Sequence, residues 1–208
     1  MTSTDEPTVA VSGPPLRALD RFLRRWRIRK VRAFIPRGST VLDVGCHDGA
    51  LFRILSGRLA GGVGLDPVIE RSESRGRFRF VAGTFPGDLA VDERFDVITL
   101  MAVLEHVEPG SLPSWSEACR ARLAPGGVVI ATVPSARVDG LLEVLARVGL
   151  VAGMSLEEHH GFDPSDVPRL FGSDGLRLVR HDRFELGMNN LFVFRSTEAP
   201  RRLTTERA

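Results

Sequence analysis

Short apolar runs alternate with segments of helical pattern along most of this chain, and that alternation limits its fold more than any other feature. Five runs have the length and composition of buried strands: residues 40–44, 62–65, 78–81, 95–100 and 128–133. Helical patterns follow or separate them, at residues 50–59, 112–123, 141–148 and 164–171. Strands separated by helices predict an α/β fold with a doubly wound, mostly parallel sheet.

The last part of the chain departs from this alternation. Two strand-like runs, residues 176–185 and 191–195, follow one another with only a short connection. Adjacent strands joined in this way pair antiparallel. We therefore expect a Rossmann-like, doubly wound, seven-stranded sheet with an antiparallel C-terminal hairpin. In the connection, Asn189 and Asn190 suit a tight turn, and their amides could also hydrogen-bond a polar acceptor molecule.

The 208 residues are enough for one α/β domain with a sizeable core. We expect a flexible N-terminus over residues 1–14 and a basic amphipathic helix that caps the domain over residues 15–37. The domain itself is expected over residues 38–196, followed by a flexible tail over residues 197–208.

The basic helix has a line of positions at spacings of three and four residues: Leu16, Leu19, Leu23, Trp26 and Lys30. Its other faces are rich in arginine. The first interpretation is a solvated helix that caps the domain, and the alternative is a contact with an anionic substrate or an anionic membrane surface. The aromatic residues Phe22, Trp26 and Phe34 are expected to face the core.

Composition excludes several classes of protein. Hydrophobic residues make up 43% and charged residues 26%, as in ordinary folded proteins, and the net charge of +2 does not indicate a DNA-binding protein. The N-terminus lacks the pattern of a signal peptide. Cys46 and Cys119 are far apart, so neither a disulfide framework nor a zinc site is expected. We expect a cytoplasmic protein, either a monomer or a homodimer.

The loop after the first predicted strand has the composition of a ligand-binding loop. Gly45 and Gly49 allow a tight turn and a close approach of the backbone to a ligand, and the loop opens a helix. It lacks the Lys-Ser/Thr pair of a triphosphate-binding loop and the three glycines of the dinucleotide fingerprint. Asp43, just before the loop, would repel a pyrophosphate and would suit a ligand that carries ammonium and sulfonium groups.

A second acidic residue, Asp66, stands at the end of the next predicted strand. A carboxylate in this position accepts hydrogen bonds from ribose hydroxyls in nucleotide-binding folds. It therefore indicates an adenosine-type ligand, and it leaves both NAD and S-adenosylmethionine (SAM) open.

Taken together, these residues resemble the class I SAM-dependent methyltransferase family over residues 38–196. Further segments similar to that family lie at residues 95–98, 103–107 and 123–127, and the closing hairpin resembles the family's reversed pair of strands. The resemblance implies SAM as the cofactor. It also implies a set of cofactor-binding residues: Asp43, Gly45, Cys46, His47, Gly49, Asp66, Pro67, Val68, Gly83, Thr84, Phe85, Leu100 and Met101.

Two positions depart from the family pattern. His47 stands where the family often has glycine, so the loop is expected to be less open there. Thr84 stands where the family frequently has an aspartate that binds the adenine amine. Thr84 or a backbone carbonyl is expected to make that contact instead.

Candidates for a catalytic base are few. Methyl transfer needs a base only when the accepting atom must lose a proton. The resemblance implies a substrate lid over residues 135–163, which contains His159 and His160, and it places His106 near the transferred methyl group. These three are the candidate catalytic residues, with a loop-holding role as the alternative for His106. His47 is expected to shape its loop and His181 to be structural or exposed, and no histidine spacing indicates a metal site.

The sequence thus predicts an enzyme that methylates a small molecule such as a sugar, a glycolipid or a secondary metabolite, at oxygen. Three alternatives stay open. The arginine-rich helix could direct the enzyme to RNA. The chain could bind SAM without catalysing transfer, as a partner of another protein. A NAD-dependent oxidoreductase is the remaining alternative for this fold.

Overall fold

A computed structural model describes residues 7–12, 18–90, 92–135, 162–172 and 175–198. The predicted helix at 141–148, His159, His160 and nearly all of the predicted lid lie outside the described residues. The predicted tail is likewise outside them, apart from its first two residues.

The described residues form one mixed sheet, in the order β3-β4-β2-β1-β5-β6-β8-β7. Its strands are β1 (Thr40–Val44), β2 (Gly61–Asp66), β3 (Glu73–Arg75), β4 (Phe78–Ala82), β5 (Phe95–Met101), β6 (Leu123–Pro134), β7 (Leu176–Phe184) and β8 (Asn189–Ser196). The neighbours β4-β2-β1-β5-β6 are parallel, and β8 and β7 form an antiparallel pair at one edge. The predicted fold class is therefore confirmed.

The sheet has one strand more than the predicted seven. The extra strand, β3, is three residues long and pairs antiparallel with β4 across a turn at Gly76. It has no apolar run because it lies half-exposed at the sheet edge, and backbone pairing with β4 alone defines it. A hydrophobic pattern therefore gives no signal for it.

Helices cover both faces of the sheet. The helices are α1 (Ala18–Val31), α2 (Ala50–Leu55), α3 (Leu112–Arg122) and α4 (Val167–Phe171). Buried side chains of α1 and α2 pack in one hydrophobic cluster, and those of α3 and α4 pack in another on the opposite face. No helix in the described parts of the chain is long and apolar enough to cross a membrane.

The helix α1 is rotated relative to the prediction. Ile28 and Val31 are buried against the sheet, whereas Phe22 is 56% exposed and Trp26 is 37% exposed. The prediction that Phe22 and Trp26 face the core is therefore wrong. The observed orientation buries Ile28 and Val31, and it also turns Arg24 and Arg27 toward acidic partners in the domain.

The C-terminal hairpin turns earlier than predicted. Glu185, Leu186 and Gly187 have left-handed φ angles of 51°, 58° and 85°, so the chain reverses there. Asn189 and Asn190 lie in β8 and are both 5% exposed, so the prediction that they form the turn is wrong. Their burial means that their amide groups are part of the interior.

Residues 7–12, part of the segment expected to be a flexible lead, lie beside the turn that follows β2. The Ser12 backbone amide donates to the Val68 carbonyl (2.9 Å), and the Glu70 amide donates to the Ala10 carbonyl (3.2 Å). Val9 is buried. This segment therefore forms one wall beside the end of β2.

Candidate active site

The site lies at the carboxyl ends of the parallel strands. β1 has β2 on one side and β5 on the other. The chain therefore runs outward from β1 through β2 to β4, and it then returns to the other side of β1 to form β5. In an open α/β sheet, the loops separate at such a strand and leave a crevice where ligands bind. The predicted cofactor residues after β1, β2, β4 and β5 are all brought to this edge.

The glycine loop after β1 has no room for side chains at two positions. Gly45 has a left-handed φ of 73°, and a Cβ atom there would clash with the Val103 side chain after β5. Gly49 has a φ of 74°, and a Cβ there would lie 2.6 Å from the Phe80 ring. His47 between them also has a left-handed φ, of 49°. The loop is therefore a tight cradle of backbone.

Asp66 at the end of β2 holds this loop in place. Its Oδ2 accepts the backbone amide of His47 at 2.8 Å, and its Oδ1 accepts that of Val68 at 3.0 Å. The prediction assigned Asp66 to ribose hydroxyls and missed this structural role. Each carboxylate oxygen can accept two hydrogen bonds, so both roles are compatible.

Asp43 is buried beneath the loop, with 1% of its surface exposed. The Thr99 hydroxyl on β5 donates to its Oδ1 at 2.6 Å. Burial raises the pKa of Asp43 to about 7, against the lowering effect of the Thr99 hydrogen bond, and the nearby Asp66 raises it further. A cation that arrives above this carboxyl would favour its charged form.

Cys46 and His47 of the loop have different surroundings. Cys46 is buried, and burial raises the pKa of its thiol far above the usual range, so the thiol is not a nucleophile at neutral pH. His47 is half-buried, and its ring Nδ1 lies 3.9 Å from the Asp48 carboxylate.

The loop after β4 brings a carboxylate that the sequence prediction missed. The Thr84 amide and hydroxyl both donate to Asp88 Oδ2, at 2.7 and 3.2 Å. Phe85 is buried edge-on against Trp115. Asp88 therefore supplies an acidic group beside Thr84, the position where the family pattern has its aspartate. In the sequence, the only indication of this role is that Asp88 stands four residues after Thr84.

α1 covers this edge and is joined to the glycine loop. Arg24 donates two hydrogen bonds to the Asp48 carboxylate, at 2.8 and 3.1 Å, and Arg53 lies 3.5 Å from the same group. Although burial opposes it, the Arg24 contact lowers the pKa of Asp48. Asp48 therefore stays ionised and ties α1 to the loop.

The other end of α1 is joined to the C-terminal hairpin. Lys30 Nζ lies 3.1 Å from Asp182 Oδ2, and Arg27 Nε lies 4.0 Å from Glu185 Oε1. α1 therefore spans from the glycine loop to the hairpin, across the carboxyl edge of the sheet.

The turn after β5 lies between these two anchor points. Leu100 is buried and Met101 is half-buried, and Ala102 has a left-handed φ of 56°. In the 3-10 turn Leu104–His106, Glu105 is buried and His106 is exposed. Burial raises the pKa of Glu105 to about 7, and sequence reasoning did not single it out.

The predicted site residues thus separate into cofactor candidates and catalytic candidates. The structure gathers the cofactor candidates at one edge, with Pro67 exposed and Val68 half-buried after β2. The catalytic role of His106 stays a prediction, as do those of His159 and His160. Within the described ranges, no group of three or more His, Cys, Asp or Glu residues could hold a metal ion.

Comparison with known proteins identifies the family. A family model described as a methyltransferase domain matches residues 16–181. The chain belongs to the methyltransferase domain family. The predicted resemblance to class I SAM-dependent methyltransferases is thereby confirmed, and the NAD-dependent oxidoreductase alternative is set aside.

This methyltransferase is 29% identical, over 164 residues, to the ubiquinone biosynthesis O-methyltransferase of Leptothrix cholodnii. That match covers 70% of this chain and 67% of the relative. A second relative of the same name, from a Methylobacterium species, is 26% identical over 151 residues, which cover 67% of this chain and 60% of the relative. The chain thus spans about three fifths to two thirds of these relatives.

A solved structure of the same fold is the magnesium protoporphyrin IX methyltransferase of Synechocystis, with bound S-adenosylhomocysteine (SAH). It superposes with a TM-score of 0.62 at 15% identity, and the match covers 89% of this chain and 90% of that one. At this identity, the likeness extends to the fold alone.

We predict that replacing Asp43 by Asn uncouples cofactor binding from pH. In the wild type, affinity for SAH should rise as pH increases through about 7, because the charged carboxylate is the form that attracts the ligand's ammonium group. In Asp43→Asn, affinity should be about tenfold lower at pH 8 and should change little as pH increases through about 7. Calorimetric titrations between pH 5.5 and 8.5 measure both effects.

The stability of the protein without cofactor should change in the opposite direction. The folded-state pKa of Asp43, about 7, exceeds the ordinary 3.8, so its protonated form favours folding and stability is lost as pH rises from about 4 to 7. Asp43→Asn should therefore be more stable than the wild type at pH 8 in urea unfolding. Asp92→Asn, at an exposed position, serves as the control. Equal pH profiles of SAH affinity in the wild type and Asp43→Asn would refute the assignment.

Proposed function

We propose that this chain transfers a methyl group from SAM to an oxygen atom of a small-molecule acceptor. The observation that supports it most is the pair of carboxylates, Asp43 and Asp66, near the ends of neighbouring parallel strands, beside a loop that has no space for a side chain at either of its glycines. Two carboxylates attract a ligand with cationic and hydroxyl groups and repel a pyrophosphate.

The residues of the edge fit this cofactor. SAM, when bound, supplies the methyl group on a positively charged sulfur. Asp66 would accept ribose hydroxyls, and Asp43 would face the amino acid end. Gly45 and Gly49 allow the backbone to approach closely. Asp88, held by Thr84, would accept the adenine amine. The protein's contribution is to orient the reactants and to exclude water.

Two observations support a small molecule as the acceptor. The curated relatives are named for ubiquinone biosynthesis and for transfer to oxygen. Arg24, Arg27 and Lys30 of the basic helix are engaged with acidic residues of the same chain, which leaves fewer charges for an RNA contact. A hydroxyl acceptor must lose a proton during transfer, and His106, His159 and His160 remain our proposed bases.

Transfer of a labelled methyl group tests the proposal. The protein is incubated with methyl-labelled SAM and, separately, with small-molecule extracts of bacterial cells and with total RNA. We expect label in the small-molecule fraction, in a product that alkaline and mass analysis assign as an O-methyl ether or ester. Asp43→Asn should reduce incorporation. Label in RNA, or SAH binding with no transfer to any fraction, would favour the alternatives named above.

We further propose that the outer face of α1 contacts an anionic membrane surface. Phe22 and Trp26 form an exposed edge-to-face pair with ring centroids 5.9 Å apart. They line a groove of about 420 Å³ together with Arg29 and Lys30. Lys30 is paired with Asp182, so Arg25 and Arg29 are the exposed basic residues of this face. Aromatic and basic side chains on one helix face match the apolar and anionic layers of a membrane surface.

Vesicle co-sedimentation tests this contact. We expect binding to vesicles that contain phosphatidylglycerol and little binding to pure phosphatidylcholine, and binding should fall with salt. The double substitution Phe22→Ser and Trp26→Ser should weaken it about tenfold, since both rings leave the apolar layer. Ile54→Ser, at a 40% exposed position on α2, is the control. Equal binding to both vesicles, an unaffected double variant, or preferential binding of RNA would overturn the proposal.

A further inference from the structure

A group of interior polar atoms under α1 has incomplete hydrogen bonding. Each atom is shielded from solvent and lacks a hydrogen-bond partner in the structure as described: Arg27 Nε, Glu105 Oε2, Thr132 Oγ1, Glu185 Oε1 and Asn189 Oδ1. Buried polar groups without partners are rare and costly in folded proteins. Their convergence in one part of the molecule therefore requires an explanation.

The contacts among these residues place them around Arg27. Asn189 Nδ2 donates to Glu185 Oε2 at 2.6 Å, and Arg27 Nε lies 4.0 Å from the other oxygen of Glu185. Burial raises the pKa of Glu105 to about 7, and the nearby Arg27 charge opposes part of that rise. Arg27 thus stands close to both carboxyl groups, an arrangement we call the Arg27 cluster: Arg27, Glu105, Thr132, Glu185 and Asn189.

Thr132 belongs to the same side of the sheet. Its neighbour across the ladder is Leu191, and Asn189 is two residues from Leu191 on β8, so both side chains point to the face covered by α1. Thr132 is fully buried and Asn189 is 5% exposed. α1 therefore covers the Arg27 cluster on one side, and β6 and β8 lie on its other side.

The cluster lies next to the glycine loop. The Val103 side chain is so close to Gly45 that a Cβ atom there would clash with it, and Glu105 follows two residues later in the same turn. On α1, Arg24 precedes Arg27 by one helical turn and binds Asp48 of the loop. Three residues of an α-helix rise about 4.5 Å, so the backbone positions of Arg24 and Arg27 are about that far apart along the helix axis.

The chemistry of the cluster favours one class of ligand. Asn189 Oδ1 accepts hydrogen bonds, the Thr132 hydroxyl can accept or donate, and Arg27 Nε only donates. Burial raises the pKa of Glu105 and of Glu185, and each carboxyl accepts hydrogen bonds when it is ionised. Two carboxyl groups face one guanidinium group. A molecule that completes these hydrogen bonds must bring several donors, and an anion is disfavoured by the carboxylates.

We infer that the Arg27 cluster is the acceptor-binding site, and that it takes a neutral or cationic molecule with at least two hydroxyl or amine donors. The inference rests on the proposed function, because a methyl acceptor must lie beside the cofactor. Since the atoms are shielded from solvent, binding must include an opening of the structure around the cluster. The Arg27 cluster then completes its hydrogen bonds with the acceptor.

Three probes that share a dihydroxybenzene ring test the inference. Catechol is neutral, dopamine is cationic and 3,4-dihydroxybenzoate is anionic. Calorimetric titration of the SAH-saturated protein should show binding of the first two, with 3,4-dihydroxybenzoate at least about tenfold weaker. Glu185→Gln removes a carboxylate charge at nearly constant shape, so the difference between catechol and the benzoate should shrink, while SAH affinity stays unchanged.

A variant with the opposite charge change and a control variant complete the test. Asn189→Asp adds a negative charge and should widen the difference, even if Glu185→Gln fails to fold. Glu73→Gln, on the opposite edge of the sheet, should leave all three affinities unchanged. Equal affinity for catechol and the benzoate, an unaltered ratio in the folded variants, or no probe binding alongside normal SAH binding would overturn the inference. Loss of SAH binding and of label transfer in the wild type would instead count against the proposed function.

Discussion

The hydrogen bonds of the Asp66 carboxylate are the interaction on which the site depends most. One side chain accepts backbone amides from the glycine loop at His47 and from the turn after β2 at Val68, and its own carbonyl oxygen accepts the Gly83 amide at 3.3 Å. Three loops that are distant in sequence therefore meet at one residue. Because charged acceptors form the stronger hydrogen bonds to amides, this residue holds the left-handed backbone of His47 in place.

α1 adds a connection between the cofactor edge and the space beneath the helix. Its inner face places Arg24 on Asp48 of the glycine loop and Arg27 near Glu185 of the hairpin, three residues apart. The contact with the glycine loop and the contact with the hairpin therefore lie on neighbouring turns of one helix. Its outer face carries the exposed aromatic pair, so the two faces of one helix differ in chemistry and, in our proposals, in ligand.

The fold could be predicted largely because its signals are local. Each parallel strand is a buried apolar run, and the glycines at 45 and 49 stand where the backbone is left-handed. The cofactor candidates follow from their positions at strand ends. β3 has no such pattern, because only its pairing with β4 defines it.

The rest depends on contacts between residues that are far apart in the chain. Arg24 pairs with Asp48, and Arg27 approaches Glu185, 158 positions later, so neither the orientation of α1 nor the Arg27 cluster is visible as a pattern. Trp26 was predicted to face the core only because it stands three residues after Leu23, in line with other apolar positions of the helix. Asn189 was assigned to a turn by residue type, although the turn closes on Glu185–Gly187 instead. Burial and partners, which decide these cases, are properties of the tertiary structure.

Hydrogen–deuterium exchange with and without SAH tests the central claim most directly, because it locates the cofactor on the chain. The account predicts slower exchange of backbone amides at residues 45–49, 66–69 and 82–85, which surround Asp66, and no comparable effect of NADH. Protection confined to other parts of the sheet, or protection of these three segments by NADH and not by SAH, would contradict it.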